Sequence, residues 1–153
     1  MGKIKDDLKV GLKAEKAVKP ILERLFGELT KTENQYDNFD FTNYKYYVEH
    51  KERFINFGQY DSLYLEKCKY DKYLMLKEKN PDLRFFAVWS CRNGRYIWEF
   101  NDDTTQFYSK YNMRVDRGTH TQSSNVICVL NEYISPFSDY EKVVVKKSKK
   151  SKK

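Results

Sequence analysis

Cysteine, histidine, proline and glycine are all scarce in this chain, at 3, 2, 3 and 6 residues of 153, and each scarcity removes a class of function. Cys68, Cys91 and Cys128 are odd in number and widely spaced, with no CxxC. That argues against structural zinc and a disulfide framework, and for buried free thiols in a reducing, intracellular compartment. The two histidines, His50 and His120, do not join a Ser/His/Asp set. Gly94 and Gly118 are isolated turn glycines, so there is no Gly-rich phosphate loop. Apolar runs stop at a handful of residues, which excludes a membrane-spanning helix. The opening Lys3-Ile4-Lys5-Asp6-Asp7 lacks the apolar core of a signal peptide, so the protein is expected to stay where it is made.

Acidic residues are missing from the carboxyl end. From Lys142 onward there are seven Lys and no acid, whereas residues 1–141 balance at 22 basic against 22 acidic side chains, so the formal charge of +7 resides in the tail. Two units follow: a neutral body, 1–141, and a low-complexity tail, 142–153, expected to be disordered and self-repelling. Lys146, Lys147, Lys149 and Lys150 can track phosphates. A nuclear address and a solubility tail are the other readings. The body is large enough for one core, and its 40% hydrophobic and 16% aromatic content, with thirteen Tyr and ten Phe, suits a sheet-rich domain.

Residues 5–26 have helical periodicity ended by Gly27. Leu8, Leu12, Val18, Leu22, Leu25 and Phe26 share an apolar arc, and Glu15 falls in the middle of it. A carboxylate so placed needs a cation or a lysine beside it, unless it reaches solvent at the rim of the packed face. Leu29 to Glu33 reads as a strand. Asn34 to Asn38 reads as a turn. A second helix is expected from Asp61 or Ser62 to Lys79, stopped by Asn80-Pro81. On it Lys69 is a cation on an apolar stripe, where snorkelling competes with a functional role. Arg84–Ser90 and Arg95–Phe100 read as strands about an Asn93-Gly94 turn. Tyr108–Val115 is ambiguous by pattern, Asn125–Leu130 reads as the last strand, and Pro136 closes the ordered body.

Between the first strand and the second helix, Phe39–Thr42 and Tyr46–Arg53 form an expected hairpin that carries ionisable groups where apolar ones would be usual. With a period of two, Tyr47, Glu49, Lys51 and Arg53 take one face, and Tyr46, Val48 and His50 the other. Asp40 folds back toward Glu49. Two carboxylates with a lysine two residues on suit phosphodiester hydrolysis. The acids hold a hard divalent cation through oxygen, and the ammonium offsets developing charge. A solvated ion pair on an exposed strand is the alternative. Tyr44, Tyr46, Tyr47 and Phe57 are candidates for base stacking or for the core.

Asp40, Glu49 and Lys51 resemble the active-site hairpin of the PD-(D/E)XK nuclease superfamily, whose pattern is an acid, a spacer, Glu or Asp, any residue, and Lys. Phe39 stands where a proline often precedes the first acid, and the short spacer makes Asp37 a rival to Asp40. The order helix, strand, hairpin, helix, strand, strand over residues 5–100 is similar to the superfamily's α-β-β-β-α-β core. Glu15 resembles the additional acid that many members carry on the first helix. Lys69-Tyr70, followed by the aromatic strand, looks like small phage and viral members. The resemblance implies an α/β fold around a central mixed sheet flanked by helices, and a DNA endonuclease dependent on Mg²⁺ or Mn²⁺. Asp40 and Glu49 would be metal ligands and Glu15 an outer one. Lys51 would position the attacking water, and Arg53 and Lys69 would contact phosphates. A homodimer is compatible with it. The alternative is a catalytically silent nucleic-acid-binding or virion-associated protein.

Overall fold

The computed structural model of the chain describes residues 16–32, 39–116 and 120–139. Of the helix expected over residues 5–26, residues 16–26 are described, as helix α1, and along them the expected arc holds: Val18, Leu22, Leu25 and Phe26 are buried while Lys16 and Arg24 are exposed; residues 5–15, with Leu8 and Leu12, lie outside the described residues. Gly27 ends the helix with φ 82° and its N–H bonded to the Glu23 carbonyl at 2.9 Å. Positive φ costs glycine little, and the bond satisfies a carbonyl the helix leaves open.

Strands β1 (Thr30–Lys31), β2 (Phe41–Thr42) and β3 (Tyr46–Glu52) form an antiparallel meander in which Phe41 faces Val48. Asn43 sets the turn between β2 and β3. Its Oδ1 accepts from the N–H groups of Lys45 and Tyr46 at 2.9 and 2.8 Å. Its Nδ2 donates to the carbonyls of Phe26 and Glu28, which ties the hairpin to the end of α1.

After β3 the expected helix at Asp61–Ser62 does not begin. Residues Ser62–Glu66 form strand β4, and helix α2 occupies only Lys67–Lys79, ending at Asn80 as expected. In β4 Leu63 and Leu65 are buried while Ser62, Tyr64 and Glu66 are half-buried, a period of two that tertiary pairing rewards more than helical spacing does. Helix α2 is the crossover that lets β5 (Arg84–Cys91) lie parallel to β3. Strand β6 (Gly94–Glu99) returns antiparallel.

The ambiguous region 108–115 lies in β7 (Phe107–Asp116), which pairs with β8 (His120–Leu130). Pro136 lies in the short strand β9 (Ser135–Pro136) against β6, and Phe137 beyond it is buried. A six-stranded mixed sheet thus runs β1-β2-β3-β5-β6-β9, and a separate antiparallel sheet runs β4-β8-β7. The central mixed sheet is as expected, and the second sheet is added to the helices expected to flank it.

Alternate residues of the large sheet serve two cores. Phe41, Val48, Phe86 and Val88 pack with α1, whereas Phe39, Phe85, Ala87 and Trp89 pack with α2 and the inner residues Leu63, Leu65, Ile127 and Val129 of the small sheet. Trp89 also donates its indole N–H to the Tyr64 carbonyl at 3.1 Å, locking β5 to β4. The cysteines are free thiols as expected, but only Cys128 is buried; Cys91 is half-buried and Cys68 is exposed. No helix among the described residues is long and apolar enough to cross a membrane.

Candidate active site

Glu49 and Lys51 project from the face of β3 that looks toward α2 and the small sheet, as their spacing requires. Glu49 is 1% exposed, and its Oε2 is 3.0 Å from Lys51 Nζ. Asp40 precedes Phe41, whose partner is Val48, so the continued antiparallel register brings Asp40 beside Glu49. It is buried, and its Oδ2 accepts the backbone N–H of His50 at 2.9 Å. Lys69, on the first turn of α2, is 4% exposed with Nζ 3.6 Å from Glu49 Oε1. The apolar-stripe lysine therefore enters the site as an ion-pair partner of Glu49.

Pattern reading missed Glu66. It ends β4 at the residue before α2, and its Oε1 accepts from Lys51 Nζ at 2.7 Å. The signal that would have found it is the alternation Ser62, Tyr64, Glu66, which turns Glu66 toward β3 once residues 62–66 are read as a strand.

Electrostatics follow from this crowding. Burial first, then the neighbouring Glu49, push the Asp40 carboxyl up to about 7, against the His50 N–H and the two lysines. Burial likewise raises Glu49 above the usual range although Lys51 and Lys69 pull it down. Burial works against the Lys51 ammonium too, but Glu49 and Glu66 outweigh it and the lysine is held above its ordinary value. Glu66 is lowered, because Lys51 overcomes its burial. Glu49 Oε1 is buried with no hydrogen-bond donor.

His50 points to the opposite face, where Nε2 meets Ser90 Oγ at 2.7 Å, so it stays out of the carboxylate cluster. Arg53 continues the Glu49-Lys51 face but stacks over the Tyr64 ring at 4.6 Å and donates to the Tyr64 carbonyl. Of the aromatics near the hairpin, Tyr46 packs on Phe26, Tyr47 on Phe85 and Phe57 on Tyr96, while Tyr44 is exposed. Glu15, Asp37, Lys146, Lys147, Lys149 and Lys150 lie outside the described residues. The described part of α1 packs on the face opposite Glu49.

The donor set suits a hard cation: two adjacent carboxylates, one oxygen of Glu49 without a donor, and like charges that a cation would relieve. Among the described residues no three His, Cys, Asp or Glu side chains gather as a metal-binding group. No family model, curated protein or solved structure matches the chain.

Proposed function

We propose that the chain is a divalent-cation-dependent DNA endonuclease of the PD-(D/E)XK kind. The observation that carries this reading is the burial of Asp40 and Glu49 side by side, with Lys51 at 3.0 Å from Glu49. Two adjacent buried acids repel each other, and a bound cation would relieve that repulsion. The topology lends support. α1, the β1–β2–β3 meander and α2 leading to a parallel β5 follow the superfamily's α-β-β-β-α-β order, with β4 inserted before α2.

Asp40 and Glu49 would hold Mg²⁺ or Mn²⁺. The bound cation would activate a water and polarise the phosphoryl oxygen. Lys51 orients the attacking water and offsets charge that builds on the phosphate in the transition state. Glu66 fixes the ammonium for that task, Lys69 balances Glu49, and Arg53 receives a neighbouring phosphate.

The second reading is a silent nucleic-acid-binding or virion-associated protein. Its support is that Lys51 and Lys69 are both already paired with carboxylates, a closed network that needs no ligand. A panel of labelled duplex, single-stranded, flap and junction DNAs, with and without Mg²⁺ or Mn²⁺, separates the two. We expect metal-dependent cleavage that Lys51→Ala abolishes while DNA and metal binding survive, because the lysine acts on charge present only in the transition state. Glu49→Ala loses metal and cleavage together. Wild-type protein that binds no Mg²⁺ and cuts nothing in the panel refutes the nuclease.

A further inference from the structure

The outer face of the small sheet carries a groove that adjoins the acid–lysine cluster. Its cross-strand rows are set by register. Tyr64, Cys128 and Tyr108 form one row, and Glu66, Val126 and Lys110 form the next. Glu66, already bonded to Lys51, thus belongs to the site and stands at the end of the row whose other members, Val126 and Lys110, line the groove. The cavity is about 580 Å³, and Tyr60, Tyr64, Tyr108, Arg53 and Lys110 line it with Asp61. Tyr60 and Tyr108 are 59% and 48% exposed.

Three features of this face point to a ligand. Tyr64 and Tyr108 stand two strands apart, about 9.5 Å, with the smaller Cys128 between them, so the slot has ring walls and a low floor. The Arg53 guanidinium lies over the Tyr64 ring and lines the groove. Two cations face one acid, so the groove favours an anion. Rings that accept flat partners, interleaved with cations, are how proteins hold nucleic acid whose bases are unpaired; in a duplex the base faces are already covered.

We infer that this groove binds an unpaired DNA strand, stacking bases on Tyr108 and Tyr60 beside the Arg53-covered Tyr64 and placing backbone phosphates on Arg53 and Lys110, so that the strand is led past Glu66 to the cluster. The inference rests on the nuclease reading and specifies its substrate: a single strand, or a duplex with an unpaired arm.

Binding without metal tests the groove apart from cleavage. A labelled single-stranded oligodeoxynucleotide, its duplex and the matching RNA are titrated with the full chain in EDTA. A second titration uses a strand carrying 2-aminopurine. The wild type should prefer the single DNA strand and quench 2-aminopurine. Tyr108→Ala should weaken single-strand binding at least about fivefold, Tyr108→Phe should keep it, and Leu74→Ala, on the exposed side of α2, should change nothing. Equal affinity for duplex, tighter binding of RNA, absence of quenching, or a Tyr108→Ala protein that binds like the wild type overturns the proposal. A protein that cleaves duplex DNA but fails these tests keeps the nuclease and loses the groove; one that passes them and cleaves nothing keeps the groove and loses the nuclease.

Discussion

Glu66 holds the Lys51 ammonium at 2.7 Å across the gap between the two sheets, a bond that joins the end of β4 to the carboxyl end of β3. Lys51 thus sits between two carboxylates, with Glu49 on its other side. Both fix its charge and its position. A lysine on a flexible stem loses much rotamer freedom when so held, and that cost is met at folding instead of during turnover.

Glu66→Gln should therefore leave a fold that still bonds Lys51 but lower the lysine's pKa, because one of the two charges that raise it is gone. Cleavage should persist near neutral pH, and the alkaline limb of the kcat profile should move to lower pH. An alkaline limb in the same place as the wild type's would show that Glu66 acts on shape alone.

Two buried groups make folding of the metal-free protein depend on pH in opposite senses. Burial, followed by Arg95, Lys51 and Arg53, pushes His50 down to about 4. Its contribution to stability is present above the free value of 6.5 and is lost as pH falls through about 4. Asp40 does the reverse: raised to about 7, it contributes fully below 3.8 and loses that contribution as pH rises through about 7. Comparing the wild type with His50→Gln in denaturant melts isolates the first effect, since Gln can reach Ser90 and does not titrate. The wild type's advantage over the variant should shrink between pH 6.5 and 4, by up to about 3 kcal/mol. A constant difference would mean that His50 is accessible to protons in the folded state.

The hairpin and the faces of its strand were legible because a period of two is local and Glu49, Lys51 and Asn43 lie within a few residues of one another. The same logic gave α1 its arc and its stop at Gly27. What failed was β4. Its five residues stand before a genuine helix, and Leu65, Lys69, Tyr73 and Leu76 share helical spacing, so nothing local announced the boundary at Lys67. The strand exists because β8 pairs with it from sixty or more residues away, and that partner cannot be read from local pattern. Missing β4 also hid Glu66, the groove row and the second sheet. The free thiols misled for a related reason: cysteine's general preference for burial says little about Cys68, which the start of α2 leaves exposed.

Leu22 is fully buried between α1 and the large sheet. Leu22→Ala should cost about 2–5 kcal/mol, the range for deleting a buried leucine into packing that only partly relaxes. Urea denaturation of both proteins measures it. A cost under about 1 kcal/mol would show that α1 docks loosely and that its face contributes little to the core.

Asp40 also predicts how metal binding responds to acid. With its carboxyl pushed up to about 7, a Mg²⁺ ion bound below that pH must displace a proton. Affinity measured by calorimetry should fall about tenfold per pH unit below about 7, and buffers of different ionisation enthalpy should report one proton released. Asp40→Asn should remove this dependence along with most of the affinity. Mg²⁺ affinity that stays flat as the pH is taken from above 7 to well below it would place the ion elsewhere.

The tail and the groove should add independently to DNA binding. Deleting residues 146–153 removes six lysines and nothing apolar, so folding should survive. Those lysines act only by charge, so their removal should weaken single-stranded and duplex DNA alike. It should also flatten the salt dependence, by up to about 0.7 for each phosphate no longer neutralised on single strands and about 0.9 on duplex. Stacking on Tyr108 depends on ring overlap and little on salt. The fold-change from Tyr108→Ala should accordingly be the same in the full chain and in the truncated one, since sites without shared partners add. An unchanged salt slope after truncation would show that the tail does not touch DNA. A Tyr108→Ala effect that vanishes with the tail would show that both act on the same part of the strand, and the groove would then not be a separate binding surface.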